Sequence, residues 1–414
     1  MRFIHAADLH IDSPLRGLSR YAGAPLEKLR GATRRALERL VELAIEQQVD
    51  FVLIAGDLYD RDWQDFHTGL FVREQLVRLR NAAIQVFIVQ GNHDAQSLMT
   101  RQIPWPDNVK VFSSRTAETV RLEALGVAIH GHSFPNREVD ENLAANYPPA
   151  VPGCFNIGLL HTSLTGADGH DTYAPASLAD LKSRHYDYWA LGHIHARQVV
   201  CELPRVVFPG NLQGRHARET GPKGCELVTV DGAVVSAAFV PLDVVRGHLV
   251  EIDLQPISQL DDVPRQVAQA LQAAVAGAGE VLHAMRVLLT GETVLHALEA
   301  SQPGTLAAAV QAAAQDVPGV DIWIEQVKLQ LRSPLDRAKI GQGDDALGEL
   351  VRWVDVLSGD GPALQTFCRD TLGDVLGKVP PEVLAALAHD GLDAGGDIPR
   401  LDDGAALLAL LKDA

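Results

Sequence analysis

Five short polar motifs each follow an apolar, strand-like run, and this pattern constrains the fold more than any other feature of the sequence. The motifs are D-L-H, G-D, G-N-H-D, H and G-H-I-H, beginning at Asp8, Gly56, Gly91, His161 and Gly192. Apolar runs that alternate with helical patterns predict an α/β layer whose strands are buried on both faces. The carboxyl ends of parallel strands meet at one edge of a sheet. We therefore expect the five motifs to converge, although they lie far apart in the sequence.

Residue periodicity predicts the elements around these motifs. Strands are expected at 2–5, 51–55, 85–89, 109–112, 127–130, 156–160, 188–191 and 205–208, and helices at 26–48 and 66–83. Together they predict a catalytic domain over residues 1–240.

The pattern changes near residue 242 and predicts two further regions. Strand patterns at 247–254, 284–290 and 322–331, with helical patterns at 263–278 and 306–314, predict a small α+β capping domain over 245–332. From 335 to 414 the pattern is helical, with expected helices at 347–357, 363–376, 381–388 and 405–411. This acidic region is a candidate for partner docking.

The composition excludes several classes of protein. The chain has 36 basic and 53 acidic residues, a net charge of −17, which argues against coating nucleic acid or membrane by bulk charge. Residues 341–414 alone hold 14 acidic and five basic residues. The four cysteines form no C-x-x-C pair, so a thiolate zinc site and a disulfide scaffold are both disfavoured. No apolar run is long enough to span a bilayer, and we expect a cytoplasmic protein without a membrane partner.

The motifs supply a consistent set of metal ligands. Asp8 and His10 are two residues apart, as are His193 and His195, and in extended backbone such pairs point to one face. Imidazole, carboxylate and amide donors without a thiolate suit manganese, iron or zinc. Seven candidate ligands are too many for one ion and suit two ions that share a carboxylate. These are Asp8, His10, Asp57, Asn92, His161, His193 and His195.

Each motif has an ordinary structural explanation when taken alone. A D-x-H pair arises by chance, G-D at a strand end is often an Asx turn, and a single histidine after a strand usually has a structural partner. Five such motifs, each behind its own strand, favour the metal site.

This series of motifs resembles that of the calcineurin-like metallophosphoesterase superfamily. The resemblance implies an α/β sandwich of two mixed sheets flanked by helices. Within the superfamily, the opening F-I-H-A-A-D-L-H, the run A-G-D-L-Y-D at 55–60 and the small domain after residue 240 resemble the SbcD-type DNA-repair exonucleases.

The resemblance also implies a role for each residue. One ion is held by Asp8, His10 and His195, the other by Asn92, His161 and His193, and Asp57 bridges them. Two such ions, which we expect to be manganese, lower the pKa of a shared water and clamp phosphate oxygens. His93 is expected to face the scissile phosphate and protonate the departing oxygen, and Asp94 to orient His93. Arg215, His216 and Trp63 are weaker candidates for substrate contacts.

The implied function is 3′-to-5′ DNA exonuclease activity in repair, with endonuclease activity in addition. The implied partners are DNA ends, an SbcC-type coiled-coil ATPase and a second copy of the chain. Two alternatives remain open. The metal site also suits a phosphomonoesterase or a small-molecule phosphodiesterase, and a scaffold on a degenerate fold is disfavoured because every ligand position is filled.

Overall fold

A computed structural model describes most of the chain up to residue 360. The described residues are 1–13, 25–60, 66–95, 104–164, 173–216, 218–232 and 234–360, together with 362, 363, 366 and 370. They fall into two compact units. The first contains Met1–His248, Val275–Met285 and Gly319–Glu325, and the second contains Leu249–Ala274, Arg286–Pro318 and the described residues from Gln326 onward.

The strands of the described residues are numbered in chain order. They are β1 (Arg2–Ala6), β2 (Phe51–Ala55), β3 (Gln85–Val89), β4 (Val109–Val111), β5 (Glu118–Leu122), β6 (Val127–Gly131), β7 (Phe155–His161), β8 (Tyr188–Gly192), β9 (Gln198–Cys201), β10 (Arg205–Phe208), β11 (Gly224–Asp231), β12 (Val234–Pro241), β13 (Val245–Asp253), β14 (Leu282–Glu292) and β15 (Asp321–Arg332). The helices are α1 (Leu26–Arg30), α2 (Ala32–Glu46), α3 (Phe66–Asn81), α4 (Leu178–Ser183), α5 (Val263–Val275), α6 (Leu295–Ser301), α7 (Thr305–Gln315), α8 (Arg337–Ile340) and α9 (Ala346–Gly359).

Two six-stranded mixed sheets form the first unit, as the resemblance implied. The first has the order β12-β11-β1-β2-β3-β4, with β1 to β4 parallel and β11 antiparallel to β1. The second has the order β5-β6-β7-β8-β10-β9, with parallel strands at its centre and antiparallel strands at both edges. The predicted fold class is confirmed.

The two sheets pack face to face through aromatic and branched side chains. Phe3 and Phe51 of the first sheet stack at 5.0 Å, and Tyr188 of the second sheet meets Phe3 edge-on at 5.3 Å. All three belong to one buried cluster that draws on both sheets. Burial of such large apolar side chains stabilises the layered arrangement.

Helices cover the outer face of the first sheet. Along α2 the buried positions Leu37, Leu40, Val41 and Ala44 recur at helical spacing and pack against the sheet. The single helix predicted over 26–48 is wrong in one respect, because a break at Gly31 separates α1 from α2.

All eight strands predicted within residues 1–240 form, but four others were missed. Two of these, β5 and β9, are edge strands paired antiparallel to a single neighbour and only partly buried. The strand β5 mixes polar and apolar residues and so lacks the continuous apolar run that marked the buried parallel strands, and β9 has only four residues.

The strands after residue 242 form a separate three-stranded sheet of order β13-β14-β15. The helices predicted at 263–278 and 306–314 form as α5 and α7, and the one predicted at 347–357 forms as α9. Those predicted at 381–388 and 405–411 lie outside the described residues, as does most of the one at 363–376. Among the described residues, no helix has both the length and the apolar character needed to cross a bilayer.

Candidate metal centre

The strand register brings the five motifs to one edge of the sandwich. Strands β1, β2 and β3 are parallel neighbours, and β7 and β8 are parallel neighbours in the other sheet. A hydrogen bond between the sheets joins the two sets, because His161 Nδ1 lies 2.9 Å from the carbonyl oxygen of Ala55. The polar residues that follow these strands therefore surround one point, as the sequence predicted.

The first group of side chains comprises Asp8, His10 and His195, whose potential ligand atoms all lie within 4.8 Å of one another. The Nε2 atoms of His10 and His195 are 3.3 Å apart. The backbone N–H of His193 donates to both carboxylate oxygens of Asp8, at 3.0 and 3.1 Å, and so fixes that carboxylate. These are the three residues expected to hold the first ion.

The second group comprises Asp8, Asp57 and His161, again within 4.8 Å. Asn92 Oδ1 lies 3.0 Å from His161 Nε2, and the His193 ring lies 5.2 Å from the His161 ring. Asp57 Oδ2 is 3.6 Å from the Nε2 of His161 and 3.6 Å from that of His10. Asp57 is therefore equally close to a histidine of each group, as expected of a carboxylate that two ions share.

The protonation pattern of two histidines tests whether cations fit these groups. A neutral His161 carries its proton on Nδ1, which donates to the Ala55 carbonyl, so its Nε2 presents a lone pair to the oxygens of Asn92 and Asp57. His195 Nδ1 lies 2.6 Å from Glu219 Oε1, so its Nε2 is likewise left to face the centre. Acceptor atoms that converge without a shared proton require a cation. The donor set therefore fits divalent metal ions.

Burial makes the same centre costly without cations. Asp8 and His10 are fully buried and Asp57 is nearly so. Burial raises the pKa of Asp8 to about 6, although the neighbouring His161 and His195 oppose this shift. Burial also lowers the pKa of His10 well below its usual value, and nearby cationic groups add to the effect. Divalent ions reverse this local balance because they stabilise the ionised carboxylates and the neutral imidazoles.

Backbone conformation differs from the extended form assumed for the D-x-H motif. Asp8, His10 and Asp57 have φ angles of 52°, 42° and 50°, and His193 has a φ of 107°. The Asp8 and His10 amides donate to the carbonyls of Gly56 and Asp57, so the two turns support each other. Non-glycine residues with positive φ are strained and cluster at functional sites. Left-handed turns, rather than strand alternation, bring Asp8 and His10 together.

Gly91 provides space for the centre. A Cβ at this position would lie 2.3 Å from Asp57 Oδ1 and 2.8 Å from His161 Cε1. Its φ is not in the left-handed region, so its role is close approach rather than a tight turn. Only glycine fits between these two side chains without displacing them.

His93 borders the centre and contacts a carboxylate that the sequence analysis did not assign. Its Nδ1 lies 2.8 Å from Asp60 Oδ1, and its ring meets that of His10 edge-on at 4.8 Å. Although burial opposes ionisation, the adjacent His93 imidazole, the charge of Arg215 and the hydrogen bond from Ser13 lower the pKa of Asp60. An ionised Asp60 at this distance favours a proton on His93 Nδ1 and leaves Nε2 for chemistry.

Asp94 was expected to orient His93, and the structure shows backbone contacts for its carboxylate. The Asp94 carboxylate accepts three backbone N–H groups, from Leu58 at 3.1 Å, Tyr59 at 3.0 Å and Gly91 at 3.2 Å. Asp94 thus ties the loop after β2 to the loop after β3. Burial, together with the nearby Asp57 charge, raises its pKa to about 7. Its role is to position the loops that carry Asp57 and His93.

Asp60 also connects His93 to one of the weaker candidates. Arg215 donates from Nη2 to Asp60 Oδ2 at 2.9 Å and from Nε to Ser13 Oγ at 3.0 Å, and its Nη1 lies 3.4 Å from His10 Nε2. Arg215 is therefore at the centre. His216 is about half exposed and lies beyond it, while Trp63 falls outside the described residues.

Sequence reasoning missed Asp60, Glu219 and Lys223. Asp60 carried a usable signal, since it closes the G-D-L-Y-D run and lies three residues after Asp57. Glu219 and Lys223 carried none. Glu219 lies 24 residues after His195 in an irregular segment, and Lys223 lies 28 residues after it, directly before β11. Both contact His195 only because the chain folds back on itself.

Three solved structures are similar to this chain at low sequence identity. TT1561 of Thermus thermophilus is 14% identical and covers 57% of this chain and 98% of its own, with a TM-score of 0.34. GAP50 of Plasmodium is 11% identical and covers 58% of this chain and 84% of its own, with a TM-score of 0.37. A dimetal phosphatase of Danio rerio is 13% identical and covers 58% of this chain and 99% of its own, with a TM-score of 0.32. These likenesses concern the fold alone.

Comparison of the sequence with protein families gives a more direct result. Residues 1–197 match the model of the calcineurin-like phosphoesterases, and residues 248–332 match that of the middle domain of metallophosphoesterase YhaO. The uncharacterized metallophosphoesterase YhaO of Bacillus subtilis (strain 168) is 41% identical over 243 residues, which are 58% of this chain and 60% of that protein. None of these matches names an SbcD-type nuclease. Residues 1–197, just under half of the chain, are therefore similar to the calcineurin-like phosphoesterases.

Proposed function

We propose that this chain is a dinuclear metal-dependent phosphodiesterase that degrades DNA from its ends in the 3′-to-5′ direction. Phosphoester hydrolysis is the chemistry that the family supports. The observation that carries the proposal is the pair of ligand groups that share Asp8, with Asp57 Oδ2 3.6 Å from a histidine of each group. Two bound divalent ions, which we expect to be manganese, would supply a nucleophile at neutral pH and neutralise charge on the phosphoryl oxygens.

The residues of the chain supply the remaining steps. The Asp60 carboxylate lies 2.8 Å from His93 Nδ1 and favours a proton on that nitrogen, so the other ring nitrogen is left to face the substrate. A protonated Nε2 donates its proton to the departing sugar oxygen as a general acid. Arg215 holds Asp60 from the opposite side, at 2.9 Å, and thereby fixes the carboxylate that orients His93.

The test is a digest of end-labelled single- and double-stranded DNA with manganese. We expect the wild-type chain to release 5′-mononucleotides and His93→Ala to lose this activity. The matched control is His67→Ala, because His67 is exposed on α3. If DNA remains intact while a nitrophenyl phosphate monoester is hydrolysed rapidly, the chain is a phosphomonoesterase and the nuclease proposal is wrong. Hydrolysis of bis(nitrophenyl) phosphate without DNA degradation would instead indicate a small-molecule phosphodiesterase.

We also propose that the chain works in an assembly, with an SbcC-type coiled-coil ATPase and a second copy of itself. The support within the second unit is α9, where Val356 is 73% exposed and Trp353 is 48% exposed. Apolar side chains on one exposed helix are typical of a contact surface. Light scattering of the full chain, alone and with a coiled-coil ATPase, tests this. A monomeric mass that does not change when the ATPase is added would contradict this proposal.

A further inference from the structure

A cavity adjoins the metal centre on the side of His195. It has a volume of about 530 Å³, and its lining includes His195, Arg215, Arg218, Glu219 and Lys223. This volume is within the range of small-molecule sites. Because His195 is a predicted ligand of one ion, any group in the cavity lies next to the reacting phosphate.

The lining is basic on a chain that is strongly acidic overall. Three of its residues, Arg215, Arg218 and Lys223, are basic, and one, Glu219, is acidic. The Glu219 carboxylate is already engaged, since it accepts hydrogen bonds from His195 Nδ1 at 2.6 Å and from the backbone N–H of Arg215 at 2.6 Å. A net positive cavity on a chain of charge −17 therefore favours an anionic ligand.

The three basic side chains differ in the number of hydrogen bonds that they make to other described residues. Arg215 donates hydrogen bonds to Asp60 and Ser13. The Lys223 ammonium is nearly buried and, within the described part of the chain, donates one hydrogen bond, to the His195 carbonyl at 3.1 Å. Arg218 is exposed, and none of the hydrogen bonds or ion pairs found among the described residues involves its guanidinium. Its planar fork suits a phosphate.

We propose that this cavity binds a second phosphate of the substrate, the one that flanks the scissile phosphate in an oligonucleotide, and that Arg218 is its principal contact. The inference rests on the proposed phosphodiesterase function, because the ligand is defined relative to the scissile phosphate. It deepens that function, since a second phosphate site selects polynucleotides over simple phosphate esters. Lys223 adds charge from the cavity wall.

The test compares substrates that differ by one phosphate. The thymidine dinucleotide d(TpT) has only the scissile phosphate, and d(TpTpT) adds the flanking one. We expect the ratio of kcat/KM for d(TpTpT) to that for d(TpT) to fall by about fivefold to tenfold in Arg218→Ala, and further in Arg218→Glu, mostly through KM. Arg265→Ala is the matched control, since its side chain is 84% exposed and is distant in the sequence from the cavity. The slope of log(kcat/KM) against log[salt] for a longer oligonucleotide should flatten by about 0.7 in Arg218→Ala.

The outcomes separate the inference from the function on which it rests. If the wild-type chain hydrolyses both substrates and Arg218→Ala leaves their ratio unchanged, the cavity does not bind a second phosphate. If the wild-type chain hydrolyses neither, the proposed function itself fails. A dinucleoside polyphosphate serves as a third substrate. If Arg218→Ala lowers kcat/KM for that compound but not for d(TpTpT), the cavity binds small nucleotides and the assignment to polynucleotides is wrong.

Discussion

Replacement of Glu219 by glutamine should weaken one metal site and spare the other. Glu219 Oε1 accepts the Nδ1 proton of His195 at 2.6 Å, and its Oε2 accepts from Asn211 Nδ2 at 2.8 Å and from the Arg215 backbone at 2.6 Å. Glutamine has one oxygen and one NH₂ group. If the glutamine NH₂ group faces His195, it opposes the Nδ1–H donor of that ring. If it faces the other way, it opposes the N–H donors of Asn211 and Arg215.

The size of the effect follows from the role of Glu219 in fixing His195. Loss of such a supporting carboxylate typically costs 10- to 100-fold in metal affinity, which corresponds to about 1.4 to 2.8 kcal/mol. Only the group that contains His195 should be affected, because His161 is oriented by the Ala55 carbonyl. Calorimetric titration of the metal-stripped chain with Mn²⁺ measures both sites. We expect Glu219→Gln to bind Mn²⁺ more weakly at the site that contains His195 and with wild-type affinity at the other site.

A surface carboxylate provides the control for this experiment. Glu202 contacts Arg205 through a side chain that is 74% exposed, so Glu202→Gln should bind Mn²⁺ as the wild type does. Thermal unfolding without metal shows whether either variant is misfolded. A folded Glu219→Gln with two unchanged sites would refute the assignment of His195 as a ligand held by Glu219.

Three further predictions concern catalysis and stability. His93→Ala should lower kcat by about 10² to 10⁴-fold and leave Mn²⁺ affinity unchanged if His93 protonates the leaving group. Steady-state kinetics and calorimetric titration with Mn²⁺ check this, and a weaker Mn²⁺ affinity would instead assign an ion to the group of His10, Asp60 and His93. Asp60→Asn should lower kcat by about 10²-fold and shift the pH profile, which a pH series of kcat measures. Burial lowers the pKa of His5 to about 3, although its hydrogen bond to the Leu191 carbonyl opposes this, so the unfolded chain gains a proton that the folded chain does not. The contribution of a neutral His5 to the free energy of unfolding should therefore be complete above pH ~6.5 and fall towards pH ~3. His5→Gln should remove up to about 1.4 kcal/mol per pH unit from the slope of that free energy, measured by urea unfolding at pH 7, 6 and 5.

The position of the site was predictable because its residues follow directly from buried parallel strands. Continuous apolar runs such as β2 and β3 identify those strands, and the residue after each run then lies at the common edge. Asp57 and Asn92 were placed in this way. The geometry within the site was less predictable. The left-handed φ of Asp8 and His10 depends on hydrogen bonds to the loop after β2, which only the paired strands bring into reach.

The supporting residues were harder to predict than the ligands. Asp94 lies beside His93 in the sequence, yet its carboxylate is drawn to backbone N–H groups of two loops, and Asp60 takes the contact with His93. Neighbours in a turn often point in different directions, so adjacency in a motif is weak evidence for contact. Glu219 reaches His195 from an irregular segment, where no periodicity marks its direction.

The net charge of −17 is a poor guide to the field that a phosphate meets at this centre. More than half of the acidic excess lies in residues 341–414, outside the family-matched domain of residues 1–197. At the centre itself, the buried carboxylates Asp8 and Asp57 repel a phosphate until divalent ions reverse the local sign. The cavity beside His195 then adds three basic side chains to the same side of the site. Attraction of substrate is therefore conditional on metal, and the acidic composition excludes only metal-independent binding of nucleic acid by bulk charge.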